Sequence, residues 1–240
     1  MRPRMVLEID TLNVTDTRLP ERLIATLAAL PQTGKKPMRV EGFVTRSSIF
    51  RARSIYWVHR VEYKGIEIDM PPRSDVPHVM IDEGAEVLEA RRAGEKLTDL
   101  ILCKPLEKDA GCRSHLPEVL RGFYSELAAG KSLTATSQEL TELMLILSGK
   151  HPQMKWADDV SKPEEFSAQN NFRWSDDHAE HRLLPFEASR SAGVVRLCGA
   201  VYIPQDDGFG GTLYRVSGTV SPSTLEITLV KMGGSGFEFG

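Results

Sequence analysis

The sequence predicts an α+β fold, because strand-like and helix-like periodicities segregate along the chain instead of alternating as β-α-β units. Three observations carry this. Apolar residues alternate with polar ones over Met38–Thr45 and Ser54–Tyr63, recur at helical spacing over Leu116–Ala129 and Ser137–Leu147, and alternate again through Val194–Ile203, Thr212–Val220 and Leu225–Lys231. With 240 residues, 41% hydrophobic and 26% charged, the chain has globular composition and can build a core without disulfides or a structural metal.

In chain order, Met5–Ile9 reads as a strand, followed by a helix over Leu19–Leu30 with Pro20 in its first turn. Two strands follow, Met38–Thr45 and Ser54–Tyr63, joined by a loop over Ser47–Arg53. The apolar parity switches after Tyr63, so Lys64-Gly65 is either a tight turn into a strand Ile66–Met70 or a bulge in one long strand. From Asp82, a plausible N-cap, the pattern predicts a helix over Glu83–Ala93 and further helix to Cys103. Leu116–Ala129 follows as a helix with Pro117 at its start and Gly130 after its end. Thr136 and Glu139 fit a capping box that opens the helix Ser137–Leu147, with Gly149 as its stop. Residues 149–192 predict an irregular connection, and the tail predicts a three-stranded meander. The resulting division is an N-terminal sheet part over 1–80, a helical insertion over 81–150, an irregular connection over 151–192 and C-terminal strands over 193–240. The opening strand-helix-strand-strand order matches the start of a ferredoxin-like (RRM-like) half.

No apolar run reaches the roughly 18–20 residues needed to span a bilayer, and no signal-peptide pattern opens the sequence. Cys103, Cys112 and Cys198 form a sparse, odd set. Together these predict a cytoplasmic protein with no disulfide framework and no membrane partner.

Charge is the first feature with functional content. Net charge is −3, yet residues 1–64 carry 12 Lys and Arg against 6 Asp and Glu, while the remainder carries 18 against 27. Between Lys35 and Lys64, eight cations face only Glu41 and Glu62. Such a stretch suits an anionic partner, and it equally suits a solvated strand face that discourages edge pairing. Phe50, Tyr56, Trp57 and Tyr63 interleave with the cations, as the stacking platforms of single-strand binding proteins do. Trp57 shares its parity with Ile55 and Val61 and is assigned to the core, which leaves Tyr56 on the open face. The candidate nucleic-acid contacts are therefore Arg39, Arg46, Arg51, Arg53, Tyr56 and Arg60, with Arg51 and Arg53 on a loop and free to reach outward.

Other constellations are weaker. Asp177, His178 and His181 could ligate a divalent metal in a hydrolase, but their spacing fits no diagnostic motif. His59 lies on an apolar face and reads as a core histidine. Cys103, Cys112 and His115 lack a fourth ligand for zinc. Gly130-Lys131-Ser132 resembles the end of a phosphate loop, yet Ser125 stands where the first glycine belongs. No cofactor fingerprint is present, and no cofactor is expected.

The run Lys231-Met232-Gly233-Gly234-Ser235-Gly236-Phe237-Glu238-Phe239-Gly240, following a strand, resembles the glycine-rich loop of CRISPR-associated RAMP proteins, whose Cas6-like and Cas5-like members bind crRNA on ferredoxin-like domains. The resemblance implies RNA contacts at Gly233, Gly234 and Gly236, since glycine lets a backbone pass close to phosphate. The resulting expectation is a nucleic-acid-binding protein, RNA favoured, within a ribonucleoprotein; if it is an enzyme, an endoribonuclease. Two alternatives stand beside it: a non-catalytic assembly subunit whose basic face meets an acidic protein, and the metal-dependent hydrolase.

Overall fold

The computed structural model describes residues 8–13, 37–51, 53–63, 66–69, 78–82, 87–91, 101–103, 113–156, 173–174, 184–204 and 210–235. They form two antiparallel sheets joined through a helix pair. The larger sheet comprises β1 (Glu8–Asn13), β2 (Pro37–Arg46), β3 (Ser54–Tyr63), β4 (Ile66–Asp69), β5 (His78–Asp82), β6 (Val87–Arg91), β7 (Ile101–Cys103) and β8 (Arg113–Ser114). Its order is β1-β2-β3-β5-β6-β7-β8, with β4 pairing alongside β3. Helices α1 (Leu116–Ala128) and α2 (Leu133–Leu147) follow. The smaller sheet has the order β10-β14-β13-β12-β11, built from β10 (Arg173–Trp174), β11 (Glu187–Ser191), β12 (Val194–Pro204), β13 (Gly211–Val220) and β14 (Leu225–Ser235), with β9 (Lys155–Trp156) pairing β12.

The α+β class and the tail meander form as expected. The start of the chain pairs differently from a ferredoxin-like half: β1 lies antiparallel to β2, which lies antiparallel to β3, so the described pairings are those of a meander and not of a split β-α-β. Of the first expected strand, Glu8 and Ile9 are described and lie in β1, while residues 5–7 lie outside the described residues. The helix expected over Leu19–Leu30 lies outside the described residues. Tyr63 pairs with Ile66, so β3 and β4 are antiparallel partners and not one long strand.

The largest correction falls after Asp82. Val87–Arg91, expected within a helix, is a strand that pairs with β5, and Ile101–Cys103, expected as further helix, is another that pairs with β6. Good helix formers such as Glu, Leu and Ala there follow an adjacent sheet edge that offers each backbone amide a partner, and such tertiary pairing overrides weak local propensity. Within residues 149–192 the structure adds three strands that polar composition concealed. One of them, β11, is joined to β12 by Ala192 and Gly193, whose φ values of 48° and 81° give the twist that suits a two-residue hairpin.

The helices explain how the sheets join. Among its buried residues α1 counts Val119, Leu120, Phe123 and Glu126, whereas ten of the fifteen residues of α2 are buried. A helix covered nearly all round must have structure on several sides. One continuous core accordingly runs from Phe43, Ile55, Trp57 and Ile81 of the larger sheet, through Leu120, Phe123, Leu143 and Ile146, to Val195, Val201, Val216 and Val220 of the smaller. Trp57 is fully buried, as its parity predicts. Tyr124 of α1 reinforces the second junction, donating its hydroxyl to the Val220 carbonyl at 3.3 Å.

The expected capping box does not form. Helix α2 starts one turn earlier with Ser132 as N-cap, its hydroxyl accepting from the Ala135 amide, and Thr136 donates its hydroxyl back to the Ser132 carbonyl at 2.8 Å. Glu139 therefore lies inside the helix and is used elsewhere.

Helix α1 lies against the β2–β3 loop so closely that a Cβ on Gly122 would sit 1.8 Å from the Ile49 carbonyl oxygen. Alanine at position 122 would gain up to about 1 kcal/mol of helix propensity. Overpacking against rigid backbone outweighs that gain, so G122A is expected to lower stability by about 1–3 kcal/mol net, read as a reduced denaturation midpoint with an unchanged m-value.

Candidate functional site

The segment singled out by its cations forms the end of β2, the β2–β3 loop and β3. The loop does carry Arg51 and Arg53, and each pairs with a carboxylate on α1, Arg53 largely buried and Arg51 with its side chain 70% exposed. Arg51 Nη2 bonds Glu126 Oε1, and Lys131, from the α1–α2 turn, bonds Glu126 Oε2. Glu126 itself is buried. Arg53 makes a two-pronged contact with Glu118, Nε to Oε1 at 3.2 Å and Nη2 to Oε2 at 2.9 Å, while its guanidinium lies 5.3 Å from the centre of the Phe50 ring. Both arginines, expected to be free, are tied to anions of the same chain, Arg51 with most of its side chain still in solvent.

Glu139 completes the arrangement. Its Oε1 accepts from the Ser47 hydroxyl at 2.8 Å, the Ser48 amide at 2.7 Å and the Ser48 hydroxyl at 3.0 Å. A buried carboxylate is tolerated only when its lone pairs are filled in this way. The Lys131 ammonium also reaches the Ser48 hydroxyl at 3.4 Å. The Gly130-Lys131-Ser132 sequence thus serves as an interhelix turn and helix cap, with Gly130 at φ 85°.

The remaining sequence candidates fall as follows. Tyr56, expected on an open face, is buried at 7% exposure, its strand neighbours being Val44 and Met80. It is not an exposed stacking platform. Arg39 and Arg60 are placed by register only: Arg39 stands opposite Glu62, which faces Glu67, and Arg60 stands between Glu41 and Asp69. Arg46 ends β2 opposite Glu8, with its side chain exposed. Each of these cations therefore has an acidic residue across the ladder, which linear counting over Lys35–Lys64 did not reveal.

Gly233 and Gly234 also take a different role. They belong to β14 and pair on both sides, with Leu213 and Thr212 of β13 and with Trp174 and Arg173 of β10. Their backbones serve the sheet ladder and do not form an open phosphate-clasping loop. Gly236, Cys112, Asp177, His178 and His181 lie outside the described residues, as do the side chains of Arg39, His59 and Arg60.

Sequence reading missed a different surface. On the core side of β12 are Val195, Leu197 and Val201; on the opposite face are Arg196 and Cys198, both exposed. Strand register extends that face across the smaller sheet in rows: Ser189, Arg196, Thr219 and Glu226; Glu187, Cys198, Ser217 and Thr228; then Ala200, Arg215 and Val230. Lys155 joins it opposite Tyr202. The central strands β12 and β13 carry only positive charge here, since Glu187 and Glu226 lie on the flanking strands. The detectable signal was the polar set Arg196, Cys198, Arg215, Ser217 and Thr219 alternating with core residues. Its meaning required the strand register.

Compared with protein-family models, curated proteins and solved structures, the chain matches none.

Two outcomes test the loop's attachment. Replacing Glu139 by alanine strands the Ser47 and Ser48 donors and is expected to cost about 3 kcal/mol, with glutamine costing about half because it keeps one acceptor; chemical denaturation of both variants checks this. For Glu118, burial works to raise its pKa, but the Arg53 hydrogen bonds and charge, together with His115, outweigh burial and hold it below its usual 4.5. A depressed folded pKa contributes stability above the unfolded value and loses it as pH falls through the folded one. The thermal midpoint should therefore drop less for R53M than for the parent on acidification from about pH 5 to about pH 3.

Proposed function

We propose that this protein binds nucleic acid, single-stranded RNA in preference, on the partly exposed face of the smaller sheet that carries Arg196 and Cys198. The observation that carries this reading is that face itself, on which Arg196 and Lys155 are exposed and Arg215 half-buried, among the hydroxyls of Ser189, Ser217, Thr219 and Thr228. Arginine and lysine neutralise phosphates, and serine and threonine hydroxyls donate to phosphate and sugar oxygens. Sheet faces are an established platform for single strands. With no exposed aromatic residue among these, contacts fall on the backbone and sequence preference is weak. A role within a ribonucleoprotein is part of the same proposal. It draws on the sheet face and not on the glycine run.

A second reading has its own observation. Among the described residues, β14 is paired by β13 along its length, but on its other side only at Gly233 and Gly234, and Val230 on this strand is 42% exposed. An assembly subunit that accepts a partner strand along Leu225–Lys231 would use that edge.

The RNA reading is tested with a labelled single-stranded oligonucleotide. Affinity is expected to fall linearly on a logarithmic salt axis, and Arg196→Gln is expected to reduce the slope by about 0.7. Arg51→Gln is expected to leave binding unchanged while lowering stability, because its partner is Glu126. Salt-insensitive or absent binding counts against the proposal, and a stable complex with a protein strand in its place supports the second reading.

A further inference from the structure

The two long sides of the smaller sheet are built differently. On one, β11 is short, and its residues Glu187–Ser191 set Glu187 and Arg190 among small side chains, the composition of an edge that discourages further pairing. On the other, β14 runs eleven residues from Leu225 to Ser235 and carries Ile227-Thr228-Leu229-Val230 without a charge, a proline or a glycine. Ile227 and Leu229 are only half-buried against the core, and Val230 is 42% exposed on the opposite face. Among the described residues, the outer side of β14 is paired only at Gly233 and Gly234, by β10. Residues 225–231 thus offer backbone groups and an apolar stripe to a further strand.

That stripe is complementary to itself. Directly opposed residues of an antiparallel pair share a face of the sheet, so two copies can join about a two-fold axis normal to the sheet. Placed at Thr228, the centre of residues 225–231, the axis uses every position up to the point where β10 takes over. Thr228 then faces itself, Ile227 faces Leu229, Glu226 faces Val230 and Leu225 faces Lys231 of the second copy. No like charges stand directly opposite, and the half-buried Ile227 and Leu229 cover each other across the seam. On the other face, the row Arg196, Thr219, Glu226 continues through the second copy's Val230 to its Arg215. The exposed carboxylate of Glu226 thereby gains a cation on its outer side, two strand spacings or about 10 Å away between backbones.

We infer that β14 is a homodimer interface, in which two copies of this chain pair their Leu225–Lys231 edges antiparallel about Thr228 and join their smaller sheets into one. This inference rests on the second reading of that edge and names its occupant as a second copy. Because the axis is normal to the sheet, both copies present Arg196 on the same side.

The test is sedimentation of the full chain over a range of concentrations, with single variants at the exposed positions 228 and 230. The parent is expected to show a monomer–dimer equilibrium. Thr228→Lys sets two ammonium groups against each other on the axis and is expected to weaken dimerisation roughly tenfold or more, while leaving the thermal midpoint of the dilute protein unchanged. Thr228→Cys is expected to form a covalent dimer on mild oxidation well beyond the parent's level, whereas Val230→Cys, which faces Glu226 across the seam, is not. A dimer that persists in Thr228→Lys and is not cross-linked through Thr228→Cys forms elsewhere and overturns the inference. A parent that stays monomeric overturns it too, and immobilised protein then separates two cases. If the parent retains from a cell lysate a protein that Thr228→Lys does not, the edge takes a different chain and the second reading stands; if it retains none, that reading falls as well.

Discussion

The buried carboxylate of Glu139 is the constraint around which the described structure is organised. It lies on a helix covered on most sides, and it is held there because the Ser47 and Ser48 hydroxyls and the Ser48 amide fill its lone pairs. That one acceptor fixes the β2–β3 loop against α2. Once the loop is fixed, Arg51 and Arg53 reach α1, Ile49 closes onto Gly122, and the larger sheet shares a core with the helices. Removing either side of this contact would leave a buried charge or buried donors without compensation, so the loop and the helix pair are energetically one element.

Charge shows how far linear patterning departs from a surface. Eight cations over Lys35–Lys64 read as a basic patch, but the fold sets acidic residues beside Arg39, Arg46, Arg51, Arg53 and Arg60. Glu67 and Asp69 are brought alongside by β4, and Glu118 and Glu126 by α1. The acidic excess of the later part of the chain is thus partly spent on neutralising its beginning. Among the described residues, Arg196, Arg215 and Lys155 are gathered on one face by the register of β9, β12 and β13.

The two sheets therefore differ in what they leave for function. Around β2 and β3 the larger sheet is buried on both sides, Val44, Tyr56 and Val58 on one and Phe43, Ile55 and Trp57 on the other. The smaller sheet gives one side to the core and leaves part of the other open. On that side Arg196 and Lys155 face water, and the strands hold them at fixed spacing.

The sequence by itself determined the α+β class, the strands β2, β3, β12, β13 and β14, both helices, and the burial of Trp57. These rest on alternation, helical stripes and turn residues, all local signals whose period survives in any context. Tertiary structure decided the rest. Val87–Arg91 is a strand because β5 offers an edge; Glu139 is a buried acceptor and not a capping residue because the β2–β3 loop lies over α2; Gly233 and Gly234 are ladder residues because β10 and β13 flank them. In the same way, Arg51 and Arg53 became ties to α1 while Arg196 stands exposed and Arg215 half-buried on the smaller sheet. Partner and exposure are properties of residues distant in sequence, and only the fold brings those residues together.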